Sequence, residues 1–315
     1  MNRLRTALHQ QMQNGGLYAV LAALGFSFKA IFVKLGYAAA PVDAITLLAL
    51  RMGLSLPLFI WLTWASRREA SAPLTAGDCL RVAVLGMLGY YLSSLFDFYG
   101  LQSISASLER LILFTYPTLV LIFQALVQRE RPTLRTLVAM GLCYVGLGVA
   151  FVHDLGAGGG QQVLVGSLWV FGSAVTYALF YSGSGLVLKR MGGMRMAGLC
   201  GVASSLMVLA HFLVVGDTQQ VTHLPSAVWV SAGLMALFST VLPIYWMALA
   251  IQRMGPTHTA AVGNLGPVLT MLASWAILHE AISGYQVAGL VLVLLGVARL
   301  RPRKAVVATG NEAAA

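Results

Sequence analysis

QSISASLERLILFTYPTLVLIFQALVQRE, residues 102 to 130, carries charge, proline and helix-forming signals in one run. A counterpart lies 150 residues on, where Gln102, Pro117, Leu119 and Glu130 fall on Gln252, Pro267, Leu269 and Glu280. The register continues without a gap, with Leu142 on Leu292 and Gly146 on Gly296. Each copy therefore reads as an apolar helix with an internal proline, an acidic turn, and a second helix ending near glycine. This is an internal repeat, and the matching residues stand at the punctuating positions.

Composition says where such a repeat can live. The 315 residues are 58% hydrophobic and only 10% charged, with a mean hydropathy of +0.81. A soluble domain carries roughly a quarter charged residues. Segments of about 20 apolar residues each span a hydrocarbon layer of roughly 30 Å, and ten can be marked out: 16–36, 42–64, 80–98, 102–126, 133–152, 164–188, 196–215, 226–250, 257–279 and 284–300. Arg3 and Arg5 followed by an apolar run ending at Ala38-Ala39-Ala40 resemble a signal peptide. Lys29 inside the run and Pro41 directly after the cut argue for a first membrane helix instead.

The formal charge of +10 would point to nucleic acid in a soluble protein. Here the basic residues form short clusters between apolar runs, so the charge reads as topology and no nucleic-acid partner is expected. The clusters at Arg3 and Arg5, Arg67 to Arg81, Arg129 to Arg135, Lys189 to Arg195, Arg253 and Arg299 to Lys304 all fall on one side of the ten-span threading, and the opposite loops hold none. The positive-inside rule makes that side, with both termini, cytoplasmic. Five spans per half invert the second half relative to the first. Residues 1–153 form the first repeat, the glycine-rich stretch 154–162 a linker, 163–302 the second repeat and 303–315 a cytoplasmic tail.

MGPTHTAAVGNLGPVLTMLASWAILHEAISGYQVAGLVLVLLGV, from Met254 to Val297, resembles the EamA family of the drug/metabolite transporter superfamily. Pro117 and Pro267, Glu130 and Glu280, and Gly146 and Gly296 carry the likeness, which covers nearly the whole chain. The resemblance implies an all-α integral membrane protein of the bacterial inner membrane. It implies ten transmembrane helices as two inverted five-helix repeats around a central cavity, and export of small metabolites.

Charges inside membrane helices cost about 2.5–3.5 kcal/mol each on insertion scales, so a chain that keeps several is using or pairing them. Lys29, Arg51, Glu109 and Arg110 lie within apolar runs. They are expected to form one buried, largely cationic cluster for substrate binding or coupling, with Arg51, Glu109 and Arg110 about 10–14 Å below the outer surface at 1.5 Å per residue. The bland alternative is an ion pair of Glu109 with Arg51 or Lys29 that only ties helices together. Glu109 and Arg110 stand about 100° apart on a helix, so one faces the cavity and the other a neighbouring helix.

Pro117 and Pro267 are expected to kink their helices and free carbonyls near Leu113 and Gly263, at the cavity or simply as hinges. Asn264, Tyr90 and Tyr177 are further lining candidates. Asp97 is placed near the outer surface, where hydration makes a charge cheap. The family's common pattern has small or apolar residues where Glu109 and Arg110 stand, so this pair marks the chain out from that pattern.

Enzyme readings fail on spacing. His279-Glu280 begins a zinc-protease motif, but Ser283 stands where the second histidine ligand belongs. The run SGSG at 182–185 lacks the first glycine of a nucleophile elbow, and there is no phosphate-binding loop. No cofactor and no metal are expected. A secondary transporter for a small polar metabolite, such as an amino acid or related carboxylate, is the favoured function, with Glu109 a candidate to carry a coupling proton. A multidrug or cation exporter and a multi-spanning membrane enzyme are the alternatives.

Overall fold

The computed structural model describes residues 2–67, 73–129, 133–156 and 160–299, which are helical throughout with no strand among them. Among the described residues nine helical stretches are long and apolar enough to cross a membrane: Gly15–Ala39, Ala44–Ala65, Ala76–Leu101, Ala106–Val127, Leu134–Asp154, Gly160–Met191, Gly193–Val215, Ser226–Met254 and His258–Leu278. A tenth apolar helix, Gly284–Arg299, is shorter at 16 residues and ends where the described residues end. The ten occupy the ten stretches marked out in the sequence, and we number the spans 1 to 10. The protein is an integral membrane protein, and large apolar side chains such as Leu126, Val127, Leu213 and Val214 are turned outward and exposed, as lipid-facing residues should be.

Several spans are composite. Span 1 comprises α1 (Asn2–Ser27) and α2 (Lys29–Ala39), and span 2 is α3 (Ala44–Ala65). Span 3 runs from α4 (Ala76–Gly86) through a π-helical turn, Met87–Leu92, into α5 (Ser93–Leu101). Span 4 is α6 (Ala106–Leu113) followed by α7 (Tyr116–Gln128), span 5 is α8 (Leu134–Asp154) and span 6 is α9 (Gly160–Met191). Span 7 is α10 (Gly193–Val215), and the short α11 (Thr218–His223) leads to span 8. That span comprises α12 (Ser226–Ala236), a π turn at Leu237–Val241 and α13 (Leu242–Met254). Span 9 joins α14 (Pro256–Gly263), α15 (Gly266–Ala273) and a π turn, Ser274–Leu278, and span 10 is α16 (Gly284–Arg299).

The 150-residue offset reappears in the backbone. The first two π turns begin at Met87 and Leu237, one offset apart. Among the described residues the two non-glycine residues with positive φ, Arg129 (52°) and His279 (54°), are likewise one offset apart, and each ends its helix in the left-handed conformation. Glu130, the counterpart of Glu280, lies outside the described residues.

Packing between the halves obeys the same relation. Span 2 packs on span 7 and span 5 on span 10, each pairing equivalent elements. α1 packs on α13 while α9 packs on α5, and the second contact is the first shifted by one offset. At spans 5 and 10 the relation holds residue by residue. A Cβ added to Gly146 would stand 2.6 Å from the carbonyl oxygen of Gly289, and one added to Gly296 would stand 2.7 Å from that of Ala139. Residues 139 and 289, and 146 and 296, are equivalent, so these are two copies of one contact. Between them Cys143 Sγ reaches its own equivalent, the carbonyl oxygen of Val293, at 3.6 Å. A pseudo-two-fold axis passes through this crossing.

Span 4 breaks at Phe114–Thr115 and span 9 at Asn264–Leu265. The prolines were expected to kink continuous helices. Instead each helix stops and restarts, with Pro117 and Pro267 in the first turn of the new segment, where a missing N–H removes no internal hydrogen bond. Hydroxyls stabilise the first break, Thr115 Oγ1 donating to the Ile112 carbonyl (2.7 Å) and Thr118 Oγ1 to the Thr115 carbonyl (2.7 Å).

Candidate functional site: a buried ion cluster in the first half

Lys29 opens α2, one residue beyond the point where span 1 loses helical continuity. Its Nζ lies 2.8 Å from Asp97 Oδ2 and 3.4 Å from Glu109 Oε1. Asp97 is 1% exposed and Glu109 0%, while the Lys29 side chain keeps 16% exposure. Spans 1, 3 and 4 thus meet on one ammonium held between two carboxylates. Beyond Lys29, neither carboxylate has a hydrogen-bond partner among the described residues, so Lys29 is their principal compensation.

Two corrections to the sequence reading follow. Asp97 is not a hydrated surface charge. The short connection between Leu101 and Ala106 lets span 4 cover it, and burial forces it onto a cation. The cluster is also not largely cationic, because in contact it consists of one lysine and two acids. Glu109 sits only three residues into α6, about 5 Å from its start, which places the cluster beneath the connection between spans 3 and 4, nearer the span ends than expected.

Arg51 and Arg110 do not join this contact. Arg51, 7% exposed, donates from Nε to Thr240 Oγ1 at 2.9 Å and from Nη1 to Ser94 Oγ at 3.4 Å, and its Cζ lies 5.6 Å from the centre of the Phe98 ring. The alternative in which Glu109 pairs with Arg51 is therefore not realised. Arg110 turns the other way, towards span 9, where its Nη2 would stand 2.7 Å from a Cβ on Gly266. Glu109 and Arg110 thus diverge as their helical separation requires, Glu109 to the ion cluster and Arg110 to the neighbouring helix.

Tyr90 and Tyr177 belong to a second group. Tyr90 packs edge-on to Phe180 (5.5 Å between centroids), and Tyr177 packs against Tyr116 (5.1 Å) and Tyr181 (5.2 Å). Among the described residues neither hydroxyl reaches the Lys29 cluster. Asn264 is half-buried in the break of span 9, its N–H donating to the Ala260 carbonyl as α14 ends.

Sequence reasoning also passed over the contacts that join the span ends above the cluster. Glu280 accepts from the N–H of Ala106, the first residue of α6, at 3.1 and 3.3 Å, and from the Ser274 hydroxyl; Lys34 Nζ lies 3.9 Å away. Tyr37 donates to the Phe98 carbonyl at 2.9 Å. These contacts draw the ends of spans 1, 3, 4 and 9 nearest the Leu101–Ala106 connection together over the cluster. A groove of about 790 Å³ lies elsewhere, between spans 5 and 10, with Val145, Val149, His153 and Tyr285 in its walls.

Comparison with known proteins agrees with this architecture. The EamA-like transporter family model matches the chain twice, over residues 13–152 and 164–300. The chain is 28% identical over 285 residues to the uncharacterized transporter YcbK of Bacillus subtilis (strain 168), covering 87% of this chain and 88% of the relative. To the uncharacterized transporter YyaM of the same organism it is 27% identical over 217 residues, covering 68% and 70%. A solved crystal structure of a protein shares the fold with a TM-score of 0.62 at 18% identity, covering 90% of this chain and 94% of that one. Two matched copies that together cover most of the sequence place this chain in the EamA-like transporter family.

Proposed function

We propose that the protein is a secondary transporter that exports a small polar metabolite, an amino acid or related carboxylate, by alternating access. The observation that carries this reading is the Lys29–Asp97–Glu109 cluster, which is buried inside the span bundle under contacts that close the outer side. Ionisable residues kept inside spans against their insertion cost mark a substrate or ion pathway. Interrupted helices in equivalent positions of two halves point to a binding site between them, and spans 4 and 9 are interrupted in that way. One ammonium, two carboxylates and the neighbouring Arg51 offer both signs of charge, which suits a zwitterion better than a lipophilic cation.

In this reading both termini and the arginine-rich loops face the cytoplasm, and the membrane is the bacterial inner membrane. The closed outer contacts then describe a state shut towards the outside. Glu109 and Asp97 share one ammonium, so a proton taken up by either leaves Lys29 in a neutral pair with the other, which is a route for proton coupling.

The test is flux of a labelled metabolite panel in proteoliposomes, with and without an imposed pH gradient, comparing the parent with Lys29→Met, Asp97→Asn and Glu109→Gln. A substrate that moves in the parent and is lost in these variants is the expected result. Equal flux in all four proteins would remove the cluster from the mechanism. Preferential flux of lipophilic cations would favour a multidrug exporter.

A further inference from the structure

Arg51 holds a charge that no carboxylate contacts directly, Asp97 acting on it only from a distance. A guanidinium has five N–H donors. Here two of them meet neutral hydroxyl oxygens, Thr240 Oγ1 at 2.9 Å and Ser94 Oγ at 3.4 Å, and the face lies against Phe98. No carboxylate comes within 4 Å among the described residues, although Asp97 is the chain neighbour of Phe98. Both acids of this region are turned to Lys29 instead. One cation is thus doubly served while the next, 7% exposed, has none.

Uncompensated burial of an ion is strongly destabilising. A structural arginine would be relieved by taking one of the two carboxylates. The arrangement leaves its fork available, and a guanidinium fork matches the two oxygens of a carboxylate bidentately. Thr240 is placed for this by the π turn Leu237–Val241, an irregularity frequent at functional sites. Its hydroxyl proton goes to the Met235 carbonyl five residues back, at 2.8 Å, so a lone pair faces Arg51. Ser94 is half-buried, so the far edge of the guanidinium is not sealed. Spans 2, 3 and 8 all contribute, and the position equivalent to Arg51 in the second repeat is Gly201, so the arrangement occurs once per molecule.

We propose that Arg51, steered by Thr240 and Ser94, is the seat of an oxyanion, a carboxylate of the transported solute, beside but separate from the Lys29–Asp97–Glu109 cluster. This rests on the transporter reading for its solute but not for its measurement, which is binding without flux.

The purified protein in lipid nanodiscs is titrated with butyrate, with butylamine and, in a parallel arm, with inorganic phosphate, and thermal unfolding is followed. Butyrate is expected to raise the melting temperature saturably, and butylamine is not. A saturable response to phosphate alone also supports an oxyanion seat and assigns it to phosphate. No saturable response to either anion overturns the proposal.

Arg51→Met is expected to weaken anion binding about 30-fold or more, the loss typical when one partner of a buried charge pair is truncated. Without anion it should melt no lower than the parent, whereas a purely structural arginine would leave it less stable. Should Arg51→Met not fold, Arg51→Lys keeps the cation without the fork and is expected to bind more weakly than the parent. Parent-like binding by either variant overturns the proposal. A parent that binds butyrate yet moves no solute would sink the transport reading and leave the seat standing.

Discussion

Spans 5 and 10 and spans 1 to 4 obey the duplication in opposite ways. At the crossing of spans 5 and 10 each contact is repeated by its equivalent, down to the reciprocal pairing of Gly146 with Gly289 and Gly296 with Ala139. In spans 1 to 4 the duplication holds for the backbone and fails for the charges. Lys29, Arg51, Asp97, Glu109 and Arg110 stand opposite Leu179, Gly201, Met247, Thr259 and Ala260. The second half supplies hydroxyls and backbone to the site, as Thr240, Ser274 and Gly266 show. A doubled scaffold thus carries a charge cluster built once, and in the proposed reading the symmetric parts hold the molecule together while the asymmetric part meets the solute.

Lys29→Met should have the largest effect. It strands two buried carboxylates, and breaking a buried pair from one side costs about 3–5 kcal/mol. Its melting temperature should fall well below the parent's, flux should vanish, and adding Asp97→Asn should restore part of the stability. A single variant as stable as the parent would mean that the cluster is not the charge centre described.

Next comes Gly289→Val on the symmetric side. Its Cβ would stand 2.5 Å from the Gly146 carbonyl oxygen and 3.1 Å from Ala150 Cβ, and overpacking of this kind costs about 1–3 kcal/mol. Chemical unfolding should show the loss, with solute affinity in the surviving folded protein unchanged.

Glu280→Gln should act more gently on stability, because its pair with Lys34 is long and partly exposed, worth under about 1 kcal/mol. It should nevertheless loosen the outer side. Ser107, 3% exposed, replaced by cysteine, should label with an impermeant maleimide from outside faster in the Glu280→Gln background than alone.

Smallest is Thr259→Val, the equivalent of altering Glu109. It removes one hydroxyl donated to the Gly255 carbonyl at 2.8 Å, a net bond worth about 0.5–1.5 kcal/mol, and should leave flux intact. Loss of flux here would end the claim that the site belongs to one half.

The repeat and the spans were legible because they are written in periodic apolar runs and in residues that punctuate them, whereas Gly146 and Gly296 were legible only as equivalent positions and not as a crossing. The helix breaks were half legible. Proline announced a disturbance, but whether a helix bends or restarts depends on how nearby hydroxyls satisfy the backbone, as Thr115 and Thr118 do.

The site was legible only as a set of charges. Which acid meets which base is decided between helices, and Lys29 and Asp97 are far apart in sequence. Asp97 looked hydrated because it lies four residues from the end of its helix, and nothing local says that span 4 will cover it. Charge counting held the missing signal. Three cations and one carboxylate within apolar runs ask for another acid, and Asp97 was available.

The crossing at Cys143 and Val293 has a consequence for motion. If the two halves exchange roles as the protein rocks between inward and outward states, every contact off the pseudo-two-fold axis must change partners, whereas a contact on the axis is carried into itself. The bond from Cys143 to Val293 and its flanking glycines would then be common to both states, a fulcrum and not a gate. Substitutions there should alter how much folded protein exists without altering how it divides its time between the two sides.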